Sequence, residues 1–233
     1  MERVGRSAAG TPLPLPSPAT GVRLWWAALD PPFERLAALY DHLDAEERAR
    51  AARYCVPVVR RRFVAARGIL RELLGACRGK PPAQLHFSPN AWGKPELEGG
   101  PYFNLAHNGD LALYAVAERI VGIDVERVRP LENLEGLAKR FFSPAESEAL
   151  QALPPTLRLR AFFTTWVRKE AYVKARGEGL RYPLKAFDVP VSPTAPPRLL
   201  EDRHAGDSER WTFHDLRIPL HCGALVVRQR DEG

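Results

Sequence analysis

The sequence predicts an α+β fold built as two related lobes that meet near residues 117–119. Each half of the chain contains segments with a helical spacing of apolar residues and segments with strand-like runs. Helices and strands do not alternate strictly, which argues against a parallel sheet of βαβ units. With 233 residues, of which 45% are hydrophobic, the chain can bury a sizeable core, so wholly disordered and fibrous classes are excluded.

The first half begins with a predicted strand at residues 23–29, where an apolar run ends at an aspartate and two prolines. Helical spacing follows over residues 33–43. Asp44 is typical of the N-cap of a second helix, and Pro57 begins a third helix that runs to Gly75. Short strands are predicted near residues 85–87, 102–105 and 111–116.

The second half contains a capping-box sequence at residues 143–146, with proline at the first helical position, so a helix should begin at residue 144. A long helix is predicted over residues 157–175, closed by Gly177 and Gly179. The remaining predicted elements are strands at 120–125, 211–216 and 224–228, a helix at 134–142 and a loop at 190–197.

Residues 1–20 carry four alternating prolines and are predicted to be a flexible tail rather than a targeting segment. No apolar run reaches the roughly 18 residues that a membrane span needs. The three cysteines have neither a disulfide framework nor zinc-ligand spacing. Unpaired thiols are typical of a reducing compartment, so we expect a cytoplasmic protein.

Positive charge is concentrated in residues 48–80, which hold ten Lys and Arg residues against the single acidic residue Glu72. The whole chain has a formal net charge of only +6. Such a block suits an anionic partner, either nucleic acid, a phosphorylated ligand or an acidic protein. An ordinary solvated helix face explains the same pattern, and the charge alone does not choose between them.

The sequence GIDVE at residues 122–126 places two carboxylates on one face of a strand, because residues two apart point the same way. Asp124 and Glu126 can then converge on Mg²⁺, which prefers oxygen ligands. The competing interpretation is an amphipathic strand with a charged outer face.

Trp166, Glu170 and Lys174 recur at every fourth residue and so share one helix face. Glu170 and Lys174 are either a surface ion pair or, next to the first two carboxylates, part of a site for Mg²⁺-bound polyphosphate. His107 and Lys94 are candidate phosphate contacts, although a lone histidine is often structural and the segment around Lys94 also suits a turn.

Together these motifs resemble the Sfp-type phosphopantetheinyl transferases. The resemblance covers about residues 22–230 and keeps the family's motif order. The matching motifs are ARGILRELLG at 66–75, WGKP at 92–95, FNLAHN at 103–108, GIDVE at 122–126, FFSPAE at 141–146 and WVRKEAYVKARGEGL at 166–180.

The resemblance implies two α/β lobes related by a pseudo-twofold, residues 21–117 and 118–233, with coenzyme A in the cleft between them. The family moves the 4′-phosphopantetheine arm of coenzyme A to a serine of an apo acyl or peptidyl carrier protein, with Mg²⁺, and releases 3′,5′-ADP. The implied metal ligands are Asp124, Glu126 and Glu170. The implied coenzyme A contacts are Arg62, Arg67, Lys94, His107 and Lys174, with Arg50 in addition.

Within this resemblance, Lys174 would act as a fixed positive charge and Glu170 as the base for the carrier serine, with a metal-bound water as the alternative base. Glu146 also matches a family carboxylate, but a local role in the capping box is favoured. The carrier proteins are acidic, which suits the basic chain. We expect no nucleic-acid or membrane partner, and a single duplicated chain is expected to work as a monomer.

One departure from the family concerns Ala106-His107-Asn108, where family members usually have Ser-His-Ser, so a phosphate-binding hydroxyl is missing at position 106. This change motivates one alternative, a family member that binds carriers without catalysis. A second alternative is a nucleic-acid-binding module that uses the basic segment 48–80. That module would leave the three carboxylates unexplained.

Overall fold

The computed structural model describes residues 9–204 and 210–229. Their helices and antiparallel sheets confirm the predicted α+β class. The helices are α1 (Phe33–Asp41), α2 (Ala45–Ala52), α3 (Pro57–Arg78), α4 (Leu134–Phe141), α5 (Pro144–Ala152) and α6 (Pro155–Arg176). The strands are β1 (Leu13–Leu15), β2 (Val22–Ala28), β3 (Phe87–Pro89), β4 (Pro95–Leu97), β5 (Tyr102–Asn108), β6 (Leu111–Ala117), β7 (Val121–Arg127), β8 (Phe187–Asp188), β9 (Glu201–Asp202), β10 (Trp211–Ile218) and β11 (His221–Arg228).

Two antiparallel sheets organise the described residues. The amino-terminal sheet has the strand order β1-β2-β6-β5, and the carboxy-terminal sheet has the order β10-β11-β7. Strands β3 and β4 form a separate ribbon, as do β8 and β9. Edge strands β5 and β7 belong to different sheets, and the short turn at 118–120 joins β6 to β7.

The proline-rich segment differs from the prediction of a flexible tail through residue 20. Leu13–Leu15 forms β1 and pairs with β2, with Leu13 opposite Trp26 and Leu15 opposite Leu24. Alternating prolines are compatible with a strand at a sheet edge, because such a strand can leave one row of main-chain groups unpaired. The correction applies from residue 9 onward, and residues 1–8 lie outside the described residues.

Helix α3 covers one face of the amino-terminal sheet. It begins at Pro57, where the missing N–H costs no helical hydrogen bond, and it ends at Gly79 in a left-handed conformation. Its apolar side includes Ile69 and Leu70, which are fully buried in a cluster with Tyr114 of β6. The predicted start was therefore correct, and the helix runs three residues beyond the predicted end at Gly75.

Helix α6 packs on β7 and β11, and its backbone comes very close to the backbone of β7. The Cα of Gly122 faces the helix so closely that an added Cβ would lie 2.1 Å from the carbonyl oxygen of Ala171. No other residue type fits this position without moving the helix, because real Cβ atoms do not approach backbone so closely. The glycine of the GIDVE motif thus sets the separation between β7 and α6.

The two sheets share one apolar cluster. Leu24 and Leu113 of the amino-terminal sheet pack in it together with Ile123 and Leu225 of the carboxy-terminal sheet, and all four are at most 2% exposed. The division into lobes at residues 117 and 118 coincides with the turn between the sheets, and we retain it as a proposal. None of the helices in the described ranges has the length and apolar character needed to cross a membrane.

Candidate active site

Four charged side chains from one strand and one helix meet where α6 crosses β7. Asp124 and Glu126 lie on β7, while Glu170 and Lys174 lie one turn apart on α6. Lys174 Nζ donates a hydrogen bond to Asp124 Oδ1 at 2.6 Å. Glu170 and Glu126 are close enough for the charges of both Asp124 and Lys174 to act on them. The structure therefore brings these four predicted residues together.

The carboxylates of this cluster carry more negative charge than Lys174 compensates. Burial, and then the negative charge of Asp124, raise the pKa of Glu126 to about 7. The same two causes raise the pKa of Glu170. Asp124 is only 5% exposed, and its buried Oδ2 has no hydrogen-bond partner. A buried, unsatisfied carboxylate oxygen is costly unless a donor or a cation reaches it.

The donor chemistry of the cluster fits Mg²⁺. As they stand, the described side chains include no group of three or more His, Cys, Asp or Glu arranged to hold a metal ion. Mg²⁺ sites commonly consist of one or two carboxylates completed by waters and substrate phosphates, so a full protein cage is not required. The unsatisfied Oδ2 of Asp124 is the structural observation that supports a cation here.

Two asparagines of β5 connect the sheets at this cluster. Ile123 N–H donates to Asn104 Oδ1 at 2.8 Å, and Arg127 N–H donates to Asn108 Oδ1 at 3.4 Å. Donor and acceptor are 19 residues apart in both bonds, so β5 and β7 run parallel. The asparagine side chains bridge the two strands. Asn108 Nδ2 also donates to Glu126 Oε2 at 2.5 Å. Both asparagines lie in the FNLAHN motif, four residues apart, yet the sequence did not reveal this role.

A cavity of about 200 Å³ lies beside the cluster and is lined by basic side chains. It brings together Arg50 of α2, Arg67 of α3, Lys94 and His107, all of them predicted ligand contacts. His107 lies within strand β5 and not in a loop. Partial desolvation, and then the charge of Lys174, lower the pKa of His107, which favours the neutral imidazole.

Arg62 lies at the border of this cavity. It is absent from the lining, but its positive charge also lowers the pKa of His107. Its guanidinium donates to both carboxylate oxygens of Asp30, at 2.9 and 2.6 Å. The structure therefore places Arg62 near the other predicted contacts, already paired with a carboxylate.

Part of the basic segment 48–80 is a buried structural network. Arg71 is completely buried and donates to Glu47 and to Asp44 at the N-terminus of α2, so it does not belong to an exposed basic surface. Arg67 pairs with Glu47 as well. The charge pattern of the sequence did not show that α2 covers part of α3. These internal pairs reduce the positive charge available to nucleic acid.

Lys94 was predicted to contact a phosphate, but in the structure its ammonium bonds to main-chain carbonyls. Its ammonium donates to the carbonyls of Lys174, Val121 and Ala175, at 2.8, 3.2 and 3.4 Å. Burial lowers the pKa of Lys94 to about 8. Asn90 supports the same contact by donating to the carbonyl of Gly177 at 3.1 Å. The turn at 90–94 therefore holds the C-terminus of α6, while Lys94 still borders the basic cavity.

Glu146 has the local role in the capping box that the sequence suggested, and it also forms a buried ion pair. Its carboxylate accepts from Ser143 N–H, and it forms a fully buried ion pair with Lys169 at 2.6 Å. Val189 N–H donates to it at 2.9 Å. With these partners, Glu146 belongs to the core of the carboxy-terminal half. The sequence pattern did not reveal the pairing with Lys169.

A second cavity, of about 380 Å³, opens beside Glu170 and is mostly apolar. Its walls include Phe141, Trp166, Tyr182 and Leu184. Trp166 packs edge-on against Phe141 with ring centroids 5.1 Å apart. The helix face that bears Trp166 and Glu170 is therefore packed at this point rather than open. Glu170 thus stands between an apolar cavity and the charged cluster.

Comparison with known proteins assigns the chain to a family. The family model described as "4′-phosphopantetheinyl transferase superfamily" matches residues 120–226, which include the charged cluster. The chain is 44% identical to 4′-phosphopantetheinyl transferase HetI of Nostoc sp., over 88% of this chain and 86% of HetI. It is 31% identical to 4′-phosphopantetheinyl transferase psf-1 of Bacillus pumilus, over 84% and 76%.

A shorter match reaches 4′-phosphopantetheinyl transferase Sfp of Bacillus subtilis, at 36% identity over 46% of this chain and 48% of Sfp. The match to HetI spans most of both proteins. On these similarities the chain belongs to the 4′-phosphopantetheinyl transferase family and is a transferase.

Proposed function

We propose that this transferase moves the 4′-phosphopantetheine arm of coenzyme A to a serine of an apo acyl or peptidyl carrier protein, with Mg²⁺, and releases 3′,5′-ADP. The observation that carries the proposal is the charged cluster of Asp124, Glu126, Glu170 and Lys174 beside a basic cavity. A basic cavity suits the phosphates of the nucleotide, and a carboxylate cluster suits a cation bound to the pyrophosphate.

In the binding step, the basic cavity takes the nucleotide end of coenzyme A. Arg50, Arg67, Lys94 and His107 line it, and the positive charge of Arg62 also acts on His107. Arg50 is exposed and its guanidinium lies 5.3 Å from the ring centroid of Phe63, so it can turn toward a phosphate without breaking an ion pair. The apolar cavity beside Glu170 suits the pantetheine arm.

Asp124, Glu126 and Glu170 would hold Mg²⁺ in this proposal. Bound there, the ion supplies positive charge to the pyrophosphate oxygens and to the departing phosphate. Lys174 supplies a second fixed positive charge, and its contact with Asp124 keeps the ammonium in place. Such preorganised charge is the main contribution that proteins make to phosphoryl transfer.

The chemical step joins the carrier serine to the phosphorus that bears the pantetheine arm. A bond forms between the serine oxygen and this phosphorus, while the bond from phosphorus to the bridging pyrophosphate oxygen breaks. The electron pair leaves with 3′,5′-ADP, and the serine proton passes to the carboxylate of Glu170. The half-buried position of Glu170 between the apolar cavity and the cluster supports this role.

The carrier is proposed to be an acidic domain that meets the basic chain through its charge, as the net charge of +6 favours. We further propose a monomer that works in the cytoplasm. All three cysteines, Cys55, Cys77 and Cys222, are free, which suits a reducing compartment.

The test is to incubate the purified chain with coenzyme A, Mg²⁺ and a panel of apo carrier proteins, and to measure carrier masses. We expect a phosphopantetheine adduct on one serine, lost when Mg²⁺ is chelated. Asp124→Ala should abolish the adduct without loss of fold, checked by circular dichroism. Absence of an adduct on every carrier, or normal transfer by the Asp124 variant, would overturn the proposal.

A further inference from the structure

Asn108 links the amino-terminal sheet to the carboxylate of Glu126 in the charged cluster. It lies at the end of β5, an edge strand, and its side chain reaches across the gap to β7. Its amide nitrogen donates to Glu126 Oε2 at 2.5 Å, and its amide oxygen accepts from Arg127 N–H. One small side chain thus joins a carboxylate and the main chain next to it.

The orientation of the Asn108 amide follows from its two partners. A carboxylate oxygen accepts and a main-chain N–H donates, so the nitrogen must face Glu126 and the oxygen must face Arg127. The bond from Arg127 N–H to the amide oxygen therefore orients the amide nitrogen toward Glu126. Among the described residues, no other side chain or main-chain group forms a hydrogen bond with the Glu126 carboxylate.

We propose that Asn108 is a positioning residue that fixes the Glu126 carboxylate for cation binding. The inference rests on the proposed function, in which Glu126 is a ligand of Mg²⁺. With Oε2 held by Asn108, Oε1 is the oxygen that remains for the ion. A free Glu side chain loses rotamer entropy when it is ordered, and Asn108 restrains it before the ion arrives.

Asparagine suits this role because its side-chain amide carries both a donor and an acceptor, so it can bond to the carboxylate and to the main-chain N–H at once. Asn104 provides a natural comparison on the same strand. Its side chain accepts a hydrogen bond from Ile123 N–H, and within the described residues it forms no hydrogen bond with a carboxylate.

The experiment measures Mg²⁺ affinity separately from transfer. Asn108→Ala, the near-isosteric Asn108→Leu and the matched control Asn104→Ala are titrated with Mg²⁺ alone by calorimetry. In parallel, the half-saturating Mg²⁺ concentration and the KM for coenzyme A are measured. Second-sphere partners of metal ligands typically contribute about 10-fold or more to metal affinity. We expect an increase of about 10-fold in the Mg²⁺ dissociation constant for both Asn108 variants.

The controls separate this inference from the proposed function. At saturating Mg²⁺ the KM for coenzyme A should stay at the wild-type value in the Asn108 variants, and Asn104→Ala should keep wild-type Mg²⁺ affinity. If folded Asn108 variants bind Mg²⁺ as the wild type does, the positioning role is wrong while Mg²⁺-dependent transfer stands. If the wild type neither binds Mg²⁺ nor requires it, both proposals fail together.

A measurement on the unaltered protein covers the case in which the variants do not fold. The side-chain amide resonances of Asn108 are followed by NMR during titration with Mg²⁺ alone, using asparagine labelled with ¹⁵N. They should shift with a saturable dependence that gives the same dissociation constant as calorimetry. Unchanged resonances at saturating Mg²⁺ would overturn the proposal.

Discussion

Helices α3 and α6 share several features, and one matching position has a different environment in each. Both have 22 residues, begin at a proline and end before a left-handed glycine. The fifteenth residue of each is a fully buried cation, Arg71 or Lys169. Each cation pairs with the glutamate of the capping box that opens the preceding helix, Glu47 or Glu146.

The sixteenth residue is glutamate in both helices, and here the environments diverge. Glu72 of α3 forms ion pairs with Arg35 and His42. Glu170 of α6 forms no salt bridge within the described residues and instead faces Asp124 across the cluster. The comparison teaches that both halves share the buried ion pair, while the next residue is held by cations in one half and is the proposed base in the other.

The sharpest way to break this comparison is to remove the same charge from both helices. Glu170→Gln should lower the transfer rate by about 10²-fold or more, which is the usual contribution of a general base. Glu72→Gln should leave the rate within a few-fold of wild type, because its partners lie away from the cluster. Both rates are measured with saturating coenzyme A and carrier, and equal losses would contradict the division of roles.

The two buried ion pairs predict a loss of stability in each half, larger for α6. Lys169→Met leaves the buried Glu146 without its cation, which typically lowers the free energy of unfolding by about 3–5 kcal/mol. Arg71→Met should cost less, because Arg67 still pairs with Glu47. Urea denaturation measures both losses, and Lys169→Met combined with Glu146→Gln should recover most of the larger one, because no buried charge then stays unpaired. A larger loss for Arg71→Met than for Lys169→Met would contradict this order.

The C-terminus of α6 is held by Lys94, whose ammonium donates to the carbonyls of Lys174 and Ala175. Burial lowers its pKa from an ordinary value near 10.5 to about 8. Between these values the unfolded chain binds a proton that the folded chain has lost, so the free energy of unfolding rises with pH. One proton contributes at most about 1.4 kcal/mol per pH unit. Urea unfolding between pH 8 and 10 should show this rise, and Lys94→Met should lack it.

If the Lys94 variant shows the same slope as wild type over this range, the lysine keeps its proton in the fold. The hydrogen bonds from the ammonium to the α6 carbonyls would then outweigh the effect of burial on the pKa of Lys94.

The smallest effect is expected from neighbouring arginines of α3. Arg62→Ala should raise the KM for coenzyme A only a few-fold, because Asp30 already pairs with this guanidinium and an exposed charge pair contributes about 1 kcal/mol or less. Arg61 serves as the control, since its guanidinium donates to the carbonyl of Pro31. A larger increase for Arg61→Ala than for Arg62→Ala would exclude the proposed contact.

Local chemistry made much of this architecture predictable. Prolines and capping residues predicted the starts of α3 and α5, because these positions depend on the backbone of a few neighbouring residues. Alternation on β7 and four-residue spacing on α6 likewise predicted which charges share a face. That these faces meet required the resemblance to a family.

What the sequence did not reveal depends on contacts between distant segments. The burial of Arg71 depends on where α2 packs, and the bond from Asn108 to Glu126 depends on how two edge strands align. Strand β1 was missed because alternating prolines normally indicate irregular chain, and only pairing with β2 makes that segment regular. None of these contacts has a periodic signature.

The apolar cluster shared by the two sheets also limits how this enzyme can be engineered. A cut at the turn 118–120, chosen to make a split reporter, would expose Leu113 on one fragment and Ile123 on the other. Both fragments would then expose an apolar sheet face, so aggregation would compete with reassembly. Circular permutation that keeps β6 and β7 joined at this turn is the more promising way to move the chain ends.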